Sequence, residues 1–378
     1  MTWRLSADDL PDLARGATLL GTGGGGDPYI GRRLVERVLG DGSIEILDPD
    51  EIADDLFVIP TAQMGAPTVM VEKIPAGYEA TAALRILEEH LGRTAEATMP
   101  IECGGINSMI PLVVAAETGL PVVDADGMGR AFPKLSMETF AVYGVHGSPL
   151  ALAGENGEKV VIDTGTDDRR MESLARAITI RLGGVGHIAE YAMTGADVRR
   201  TAIPRTLSMA LSLGRAIREA REANRSPYEA IEQTLSTTLY RYMRRLFAGK
   251  VVDVERRTSE GFAKGVAKIA ASDGSGSTLE LRFQNENLVA LRDGECVAIV
   301  PDLICVLEDE SAEPITTEGL RYGQRVQVIG ISTPDMMRTP EALAAFGPAA
   351  FGLSEPFRPV EERAGVTRQD VVDAGLEA

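Results

Sequence analysis

The sequence has few cysteines and no long apolar run. Its cysteines, Cys103, Cys296 and Cys305, are too few and odd in number for a disulfide framework. No apolar run approaches the roughly 18–20 residues that a membrane-spanning helix needs. The N-terminal residues also lack the apolar segment of a signal peptide. We therefore expect a cytoplasmic protein with no membrane partner.

Basic residues are scarce relative to acidic ones. The chain has 38 Lys and Arg against 56 Asp and Glu, which gives a formal net charge of -18. A nucleic-acid-binding protein needs a basic face, so we expect no nucleic acid partner. The acidic balance by itself indicates no more than solubility. We expect a small-molecule substrate as the partner, and we expect the chain to form a homo-oligomer.

The length and the hydrophobic pattern predict an α/β protein of two domains. A chain of 378 residues is longer than a single hydrophobic core usually accommodates. Short strands and helices alternate through residues 1–165, which predicts an N-terminal α/β domain with a glycine-rich loop. Residues 166–378 are predicted to form a C-terminal domain. Its pattern is helical over residues 166–248 and β-rich over residues 250–332, and an irregular tail follows.

The stretch PIECGGINSMIPLVVAAETGLPVVDADGMGR is the first candidate site. It predicts a short strand, a Gly-Gly turn, a helix capped by Asn107 and a second short strand. Glu102 and Cys103 end the first strand, and Asp124 and Asp126 follow the second. Functional groups gather at the carboxyl ends of strands in open α/β sheets. These two strand ends are therefore candidates for catalysis.

The glycine-rich segment GTGGGGDP is a second candidate site. Asp27 is predicted to cap the following helix and Pro28 to begin it. The backbone N–H groups of such a loop, here at Gly23, Gly24 and Gly25, can bind an anion or a carbonyl group. No strand precedes the loop and no Gly-Lys-Ser/Thr follows, so neither a dinucleotide fingerprint nor a Walker loop is present. A structural turn, a cradle for a small substrate and a nucleotide site stay open.

Polar residues follow three other apolar segments. Gln63 comes after a predicted strand. Glu72 lies beside Lys73 and is either a substrate contact or half of a solvated ion pair. His146 ends a strand predicted at residues 140–145 and is either a general base or an ordinary loop histidine. We take Gln63, Glu72 and His146 as candidate substrate contacts.

Signals for a metal or a nucleotide are weak. Asp163-Thr164-Gly165-Thr166 superficially resembles the phosphate loop of actin-like ATPases, but no second phosphate loop matches it. Thr166 is better interpreted as the N-cap of a helix. No HxH, HExxH or CxxC spacing occurs, so we expect no metal site and no cofactor.

Six motifs, taken as a set, resemble those of one bacterial family. They are GTGGGGDPYIGR, QMGAPTVMVEK, PIECGGINS, PVVDADGMGRAFP, YAMTGADV and QNENLVA. The chain is similar, over nearly its whole length, to the S-methyl thiohydantoin desulfurase family, found near hydantoinase and oxoprolinase genes. The resemblance implies an N-terminal and a C-terminal family domain that meet near residue 166. It also implies hydrolysis of a hydantoin-like ring, in which S-methyl thiohydantoin and water give hydantoin and methanethiol.

The resemblance also implies roles for particular residues. The positions that match the motifs of the family are Glu102, Asn107, Asp124, Asp126 and Arg130. A carboxylate such as Glu102 or Asp124 would activate water if burial raises its pKa. Asn107 would bind the ring together with the backbone N–H groups of Gly104, Gly105 and the glycine loop. The other candidate substrate contacts are Asp27, Gln63, Glu72, Arg130 and His146.

The family pattern does not reserve position 103 for cysteine. Cys103 is therefore either a nucleophile that displaces methanethiol or a small apolar side chain. A nucleophilic thiol needs a lowered pKa, which the neighbouring Glu102 opposes, so we prefer direct attack by water. Two other classes stay open: an ATP-coupled subunit of a hydantoinase or oxoprolinase, and a non-catalytic partner of such an enzyme.

Overall fold

The computed structural model describes residues 1–65, 69, 75–259 and 262–367. It combines helices and sheets and ends in a β-rich region, which confirms the predicted α/β class. Within these residues, every helix is too short or too polar to cross a membrane.

Short strands and helices alternate in the N-terminal part, which we define as the described residues up to 204. Its strands are β1 (Trp3–Ser6), β2 (Ser43–Leu47), β3 (Phe57–Val58), β4 (Thr61–Gly65), β5 (Val122–Val123), β6 (Ala125–Asp126), β7 (Leu150–Ala153), β8 (Lys159–Ile162), β9 (Val185–Ala189), β10 (Met193–Thr194) and β11 (Ile203–Pro204). Its α-helices are α1 (Leu10–Leu20), α2 (Pro28–Leu39), α3 (Glu79–Leu91), α4 (Ile110–Thr118), α5 (Thr139–Val142), α6 (Asp168–Arg181) and α7 (Gly195–Thr201). Single turns of 3-10 helix lie at Ala7–Asp9 and Leu135–Met137.

Strands from both sides of residue 165 pair with each other in this part. The order β4-β9-β7-β8 forms an antiparallel sheet, and β1-β2-β5 forms a second sheet in which β2 and β5 are parallel. Strand β10 pairs with β3, and β11 pairs with β6. The expectation of an entirely helical segment at residues 166–248 is therefore wrong in part, because three short strands there complete sheets begun earlier in the chain.

The C-terminal part, from residue 206 onward, opens with two helices and continues as one antiparallel sheet. Its helices are α8 (Thr206–Glu222), α9 (Pro227–Ser236), α10 (Pro340–Phe346) and α11 (Val360–Arg363), with 3-10 turns at Asp335–Met337 and Pro348–Phe351. Its strands are β12 (Met243–Ser259), β13 (Phe262–Ala271), β14 (Thr278–Gln284), β15 (Glu286–Arg292), β16 (Glu295–Ile299), β17 (Leu303–Glu308) and β18 (Arg325–Ile331). They lie in the order β16-β15-β14-β13-β12-β18-β17, which confirms the predicted β-rich region.

Three local predictions are wrong. Residues 140–145 do not form a strand, since α5 covers the start of this segment and Phe140 packs against Tyr191 with ring centroids 5.4 Å apart. The chain at Glu102 and Cys103 is a bend rather than a strand. Asn107 does not cap α4, whose N-cap is Met109. In each case a long-range contact outweighs the local pattern.

The two parts share one hydrophobic core. Leu13 of α1 and Leu211 of α8 belong to the same buried cluster as Leu288 of β15, Leu303 of β17 and Ile329 of β18. Side-chain packing, rather than a linker, therefore sets the relative position of the two parts.

Arg130 connects the two parts through a fully buried guanidinium group. Nη1 donates to the carbonyl oxygens of Pro301 (3.1 Å) and Asp302 (2.8 Å). Nη2 donates to Thr22 Oγ1 (2.8 Å) and the Asn287 carbonyl oxygen (3.0 Å), and Nε to the next residue's carbonyl oxygen. These bonds use all the N–H groups of the side chain. The geometry gives Arg130 a structural role and does not support the predicted substrate contact.

Replacing Arg130 with methionine is expected to destabilise the protein. Several buried oxygen atoms would lose their donor, and each unsatisfied group costs about 1–3 kcal/mol. We expect the free energy of unfolding, measured by urea denaturation, to fall by at least about 3 kcal/mol. Arg33→Met is the control, because Arg33 forms an exposed pair with Glu36 worth at most about 1 kcal/mol. Equal stability of R130M and the wild type would contradict the structural role.

Candidate functional site

A cleft opens where the glycine loop, the end of β4 and the turn between β14 and β15 meet. It encloses about 600 Å³ of empty space, part of it open to solvent. Its polar lining comprises Gln63, Glu102, Asn107, Lys134, Arg176, Asn285 and Glu286, beside the backbone of Gly25 and Gly26. The N-terminal and C-terminal parts therefore both contribute to the cleft.

Glu102, Asn107 and Gln63 form a buried hydrogen-bond network in this cleft. Asn107 Nδ2 donates to Glu102 Oε1 at 2.6 Å and to the Gln63 carbonyl oxygen at 3.2 Å, while Asn107 Oδ1 accepts the Gln63 backbone N–H at 2.8 Å. Glu102 Oε2 accepts the backbone N–H of Phe132 at 3.2 Å. Burial raises the pKa of Glu102 to about 7, although these hydrogen bonds favour the charged form. Glu102 can therefore take up and release a proton near neutral pH.

The side-chain amide of Gln63 has no hydrogen-bond partner among the described residues. Both Oε1 and Nε2 are buried, and the residue is only 6% exposed. The backbone of Gln63 is fixed in β4, where it pairs with His187 of β9. A buried polar group without a partner costs about 1–3 kcal/mol. Because Gln63 lines the cleft, its amide offers a donor and an acceptor to a ligand there.

Glu286 brings a second carboxyl group to the cleft from the C-terminal sheet. It begins β15 directly after Asn285, whose φ of 59° makes the tight turn from β14. Glu286 is 2% exposed, and its Oε2 has no hydrogen-bond partner among the described residues. A Cβ atom on Gly24 would lie 2.1 Å from Glu286 Oε1, so any other residue at position 24 would displace the Glu286 side chain from this position. Burial raises the pKa of Glu286 well above its usual range, and the negative charge of Glu102 raises it further.

The glycine loop joins the two parts of the chain. The Thr22 carbonyl oxygen accepts the Asn287 N–H at 2.9 Å, and the Gly23 carbonyl oxygen accepts the Thr317 N–H at 2.8 Å. These bonds hold the loop against the C-terminal sheet. Gly23 therefore has a structural role at this junction, and it is not among the described residues that line the cleft.

Gly104 and Gly105 pack against the glycine loop. A Cβ atom on Gly25 would lie 2.3 Å from the Cα of Gly104, and one on Gly105 would lie 2.6 Å from the Gly26 carbonyl oxygen. The Gly104 N–H donates to Ser108 Oγ at 3.2 Å. These two glycines permit close backbone packing, which the structure favours over their predicted role as ring donors.

Two backbone donors of the cleft lining belong to Gly25 and Gly26. Neither N–H group has an acceptor among the described residues, and both residues line the cleft. The Gly24 N–H, in contrast, donates to the Gly21 carbonyl oxygen at 2.9 Å. Of the predicted loop donors Gly23, Gly24 and Gly25, Gly25 is therefore the one that lies at the cleft, where a ligand would bind.

Cys103 and Asp126 form a buried pair outside the cleft. Cys103 is 2% exposed and its Sγ donates to Asp126 Oδ2 at 3.1 Å. Asp126 Oδ1 accepts the backbone N–H groups of Met128 (2.6 Å) and Gly129 (2.5 Å), which fixes this turn. Burial raises the pKa of the Cys103 thiol well above its usual range, and the charge of Asp126 raises it further. The geometry therefore favours an apolar filler over a nucleophile at Cys103 and a structural role for Asp126.

Asp124 and Asp27 bind the N-termini of helices. Asp124 Oδ1 accepts the N–H groups of Leu207 (2.9 Å) and Ser208 (3.1 Å) in the first turn of α8. Asp27 Oδ1 accepts the N–H of Tyr29 at 2.8 Å, which confirms its predicted role as the N-cap of α2. Neither aspartate is among the described residues that line the cleft. Their oxygen atoms satisfy backbone donors, so the geometry does not support the predicted base at Asp124 or substrate contact at Asp27.

His146 lies on the surface, and no described part of the cleft wall includes it. Its Nδ1 is 3.0 Å from Asp168 Oδ2, and its side chain is 40% exposed. The nearby Asp163 accepts a backbone N–H within its own exposed turn. Helix α6 is capped by Asp167 rather than by Thr166, because the Asp167 side chain accepts a first-turn N–H. Among the described residues of the cleft there is therefore neither His146, the predicted general base, nor the turn at Asp163 that resembles a phosphate loop.

Glu72 lies outside the described residues, so its contact with a substrate stays a prediction. The described ranges hold no cluster of three or more His, Cys, Asp and Glu side chains that could bind a metal ion. The expectations of no metal and no cofactor stay expectations.

Sequence reasoning missed the cleft residues that come from distant segments. Glu286 and Asn285 lie in the motif QNENLVA, where polar residues at a hairpin turn directly precede an apolar strand. This pattern was the signal in the sequence from which the two cleft residues could have been found. Lys134 and Arg176 bring positive charge to the cleft, and Arg176 Nε donates to Glu172 Oε1 at 2.6 Å. Nothing in the local sequence distinguishes Lys134 and Arg176 from ordinary surface cations.

The fold and the cleft define a class of protein in which an α/β part and a β-rich part together enclose buried carboxyl groups. The chain belongs to the S-Me-THD-like family: residues 8–164 match its N-terminal domain and residues 166–360 its C-terminal domain. This match confirms the family predicted from the motifs, and it associates the chain with thiohydantoin-related chemistry.

One solved structure is similar to nearly the whole chain. It is the X-ray crystal structure of a protein from Chromobacterium violaceum, determined by a structural genomics consortium. The two chains are 28% identical with a TM-score of 0.79, and the alignment covers 95% of this chain and 100% of the other. No curated protein gives a significant match.

The raised pKa of Glu102 predicts a pH-dependent stability. A carboxyl group with a higher pKa in the folded state stabilises the fold at low pH, and this contribution is lost as the pH rises from about 4.5 through about 7. The shift corresponds to about 3 kcal/mol. We expect Glu102→Gln to gain stability relative to the wild type over this interval, as measured by urea denaturation at a series of pH values.

Glu89→Gln, which changes an exposed glutamate in the same way, is the control for this measurement. A constant difference between Glu102→Gln and the wild type would show that the Glu102 carboxyl does not titrate near neutral pH.

Proposed function

We propose that this protein hydrolyses a hydantoin-like ring that carries a methylthio group, converting S-methyl thiohydantoin and water to hydantoin and methanethiol. One observation carries the proposal: Gln63, whose side-chain amide has no hydrogen-bond partner among the described residues, lines the same cleft as Glu102, whose pKa is about 7. Membership of the S-Me-THD-like family supports the choice of ring. The cleft thus combines a group that matches a ring amide with a group that can activate water.

Glu102 is the base in this proposal. In its ionised form it accepts a proton from the attacking water, and its raised pKa makes it a stronger base than an ordinary glutamate. Asn107 holds the carboxylate through the 2.6 Å bond from Nδ2. Asn107 is therefore a positioning residue, because its own amide is already bonded to Glu102 and to the backbone of Gln63.

Gln63 and the glycine loop recognise the ring. A hydantoin-like ring presents an N–H group and a carbonyl oxygen side by side, which match the acceptor and donor of the Gln63 amide. The N–H groups of Gly25 and Gly26 stabilise the negative charge that develops on the ring during attack. Cys103 takes no part, because its thiol is buried and bonded to Asp126.

Thiol release tests the proposal directly. Purified protein is incubated with an S-methyl thiohydantoin, and methanethiol is followed with a chromogenic thiol reagent. We expect Glu102→Gln to lower kcat by about 100- to 1,000-fold, because general-base assistance is lost. Cys103→Ala should remain within a few-fold of the wild type. The wild-type kcat/KM should rise with pH through about 7 as Glu102 ionises.

Failure of the correctly folded wild type to release thiol would refute the desulfurase assignment. Loss of activity in Cys103→Ala but not in Glu102→Gln would refute the water route and establish covalent catalysis.

Gln63 is expected to govern substrate binding. Gln63→Leu keeps a similar shape but removes the donor and the acceptor, so the ring loses two hydrogen bonds worth about 1 kcal/mol each. We expect KM to rise about tenfold or more, with a smaller change in kcat. Steady-state kinetics of thiol release measures both values. Gln233→Leu on the exposed side of α9 is the control, and an unchanged KM in Gln63→Leu would exclude the proposed ring contact.

A further inference from the structure

Glu286 occupies a position that packing alone does not explain. It is 2% exposed, lines the cleft and leaves Oε2 without a hydrogen-bond partner among the described residues. Glycine at position 24 makes room for it, since a Cβ atom there would lie 2.6 Å from the Glu286 Cγ. A buried carboxyl oxygen without a donor destabilises a fold. Such groups are typical of functional sites, where a reactive state is kept at the expense of stability.

The environment of Glu286 keeps a proton on its carboxyl group. The charged groups that act on it are Glu102 and Glu318, which oppose ionisation, and Arg130, which favours it. Burial is the largest effect, and the pKa of Glu286 stands well above its usual range. The nearby Glu102 has donors on both oxygen atoms and a pKa of about 7. Two carboxyl groups with separated pKa values in one cleft are the usual arrangement of an acid and a base.

We infer that Glu286 is the proton donor to the departing sulfur atom, an inference that rests on the hydrolysis proposed above. Methanethiolate is a moderate base, so its departure is assisted when the sulfur is protonated as the C–S bond breaks. Among the described residues of the cleft, Glu286 is the carboxyl group that enters the reaction with a proton to give.

The proton transfers balance. Water bonds to the ring carbon that carries sulfur, one water proton moves to Glu102, and the C=N electron pair moves to the ring nitrogen. That pair then re-forms the C=N bond as the C–S bond breaks, and sulfur takes the Glu286 proton and leaves as methanethiol. The hydroxyl group on the ring carbon gives its proton to Glu286 as the carbonyl forms, and Glu102 gives its proton to the ring nitrogen. Both carboxyl groups return to their starting states.

The test compares two leaving groups of different basicity. S-methyl thiohydantoin releases the more basic thiolate, whereas the S-trifluoroethyl compound releases a weaker base that needs less protonation. We expect Glu286→Gln to lower kcat for the S-methyl substrate by about 100- to 1,000-fold and for the S-trifluoroethyl substrate by less than about tenfold. The alkaline limb of the wild-type pH profile should also disappear in Glu286→Gln.

Glu138→Gln is the matched control. Glu138 is fully buried, neither of its carboxylate oxygens has a hydrogen-bond partner among the described residues, and it is not one of those that line the cleft. We expect any change in its activity to be the same for both substrates. Circular dichroism and thermal unfolding establish that each variant is folded.

An equal loss of activity on both substrates in Glu286→Gln would overturn the assignment. If Glu286→Gln does not fold, the rates of the wild type on the two substrates test the inference. An enzyme that protonates the leaving group turns over both substrates at similar rates. A much faster reaction of the S-trifluoroethyl compound would therefore overturn the inference. Absence of thiol release from both substrates by the wild type would refute the hydrolysis itself. Loss of release in Glu102→Gln but not in Glu286→Gln would refute the proton donor alone.

Discussion

The cleft depends on the buried guanidinium group of Arg130. Because water is excluded there, every N–H of the group must find an oxygen atom in the protein, and most of those oxygen atoms lie on three distant segments. One is Thr22, at the start of the glycine loop, and another is Asn287, next to Glu286. Satisfying Arg130 therefore fixes the loop against the sheet. The same constraint brings the Glu286 side chain against Gly24, where Glu286 forms part of the cleft wall.

Polar groups fall into two sets according to whether their hydrogen bonds are satisfied. Asp124, Asp126 and Asp27 have backbone donors as partners, and they stabilise helix ends and a turn. Gln63 and Glu286 have buried polar atoms without partners among the described residues, and both line the cleft. A protein that leaves such atoms unsatisfied loses stability, which the shared hydrophobic core offsets. An unsatisfied atom alone does not identify a ligand-binding group, since Glu138 also lacks partners among the described residues and is not among those that line the cleft. At Gln63 and Glu286 the unsatisfied atoms coincide with a position in the cleft lining.

The sequence predicted what depends on local pattern. The period of two after residue 250 located the strands of the C-terminal sheet, and the motif PIECGGINS selected Glu102 and Asn107, which line the cleft. The rule that function gathers at strand ends also selected Asp124 and His146, which the structure assigns to a helix cap and to the surface. Their partners lie on α8 and α6, far along the chain. Glu286 was missed for the same reason, since only the folded structure brings it to Gly24.

Glu102 and Glu286 show how one cleft can give two like groups different chemistry. Both are buried, so desolvation raises the pKa of each. Glu102 receives hydrogen bonds from Asn107 and Phe132, which stabilise its negative charge and limit the rise. Glu286 has no comparable donor on Oε2, and the charge of Glu102 further opposes its ionisation. The first proton lost from the pair therefore comes from Glu102, and its loss makes Glu286 hold its own proton more tightly.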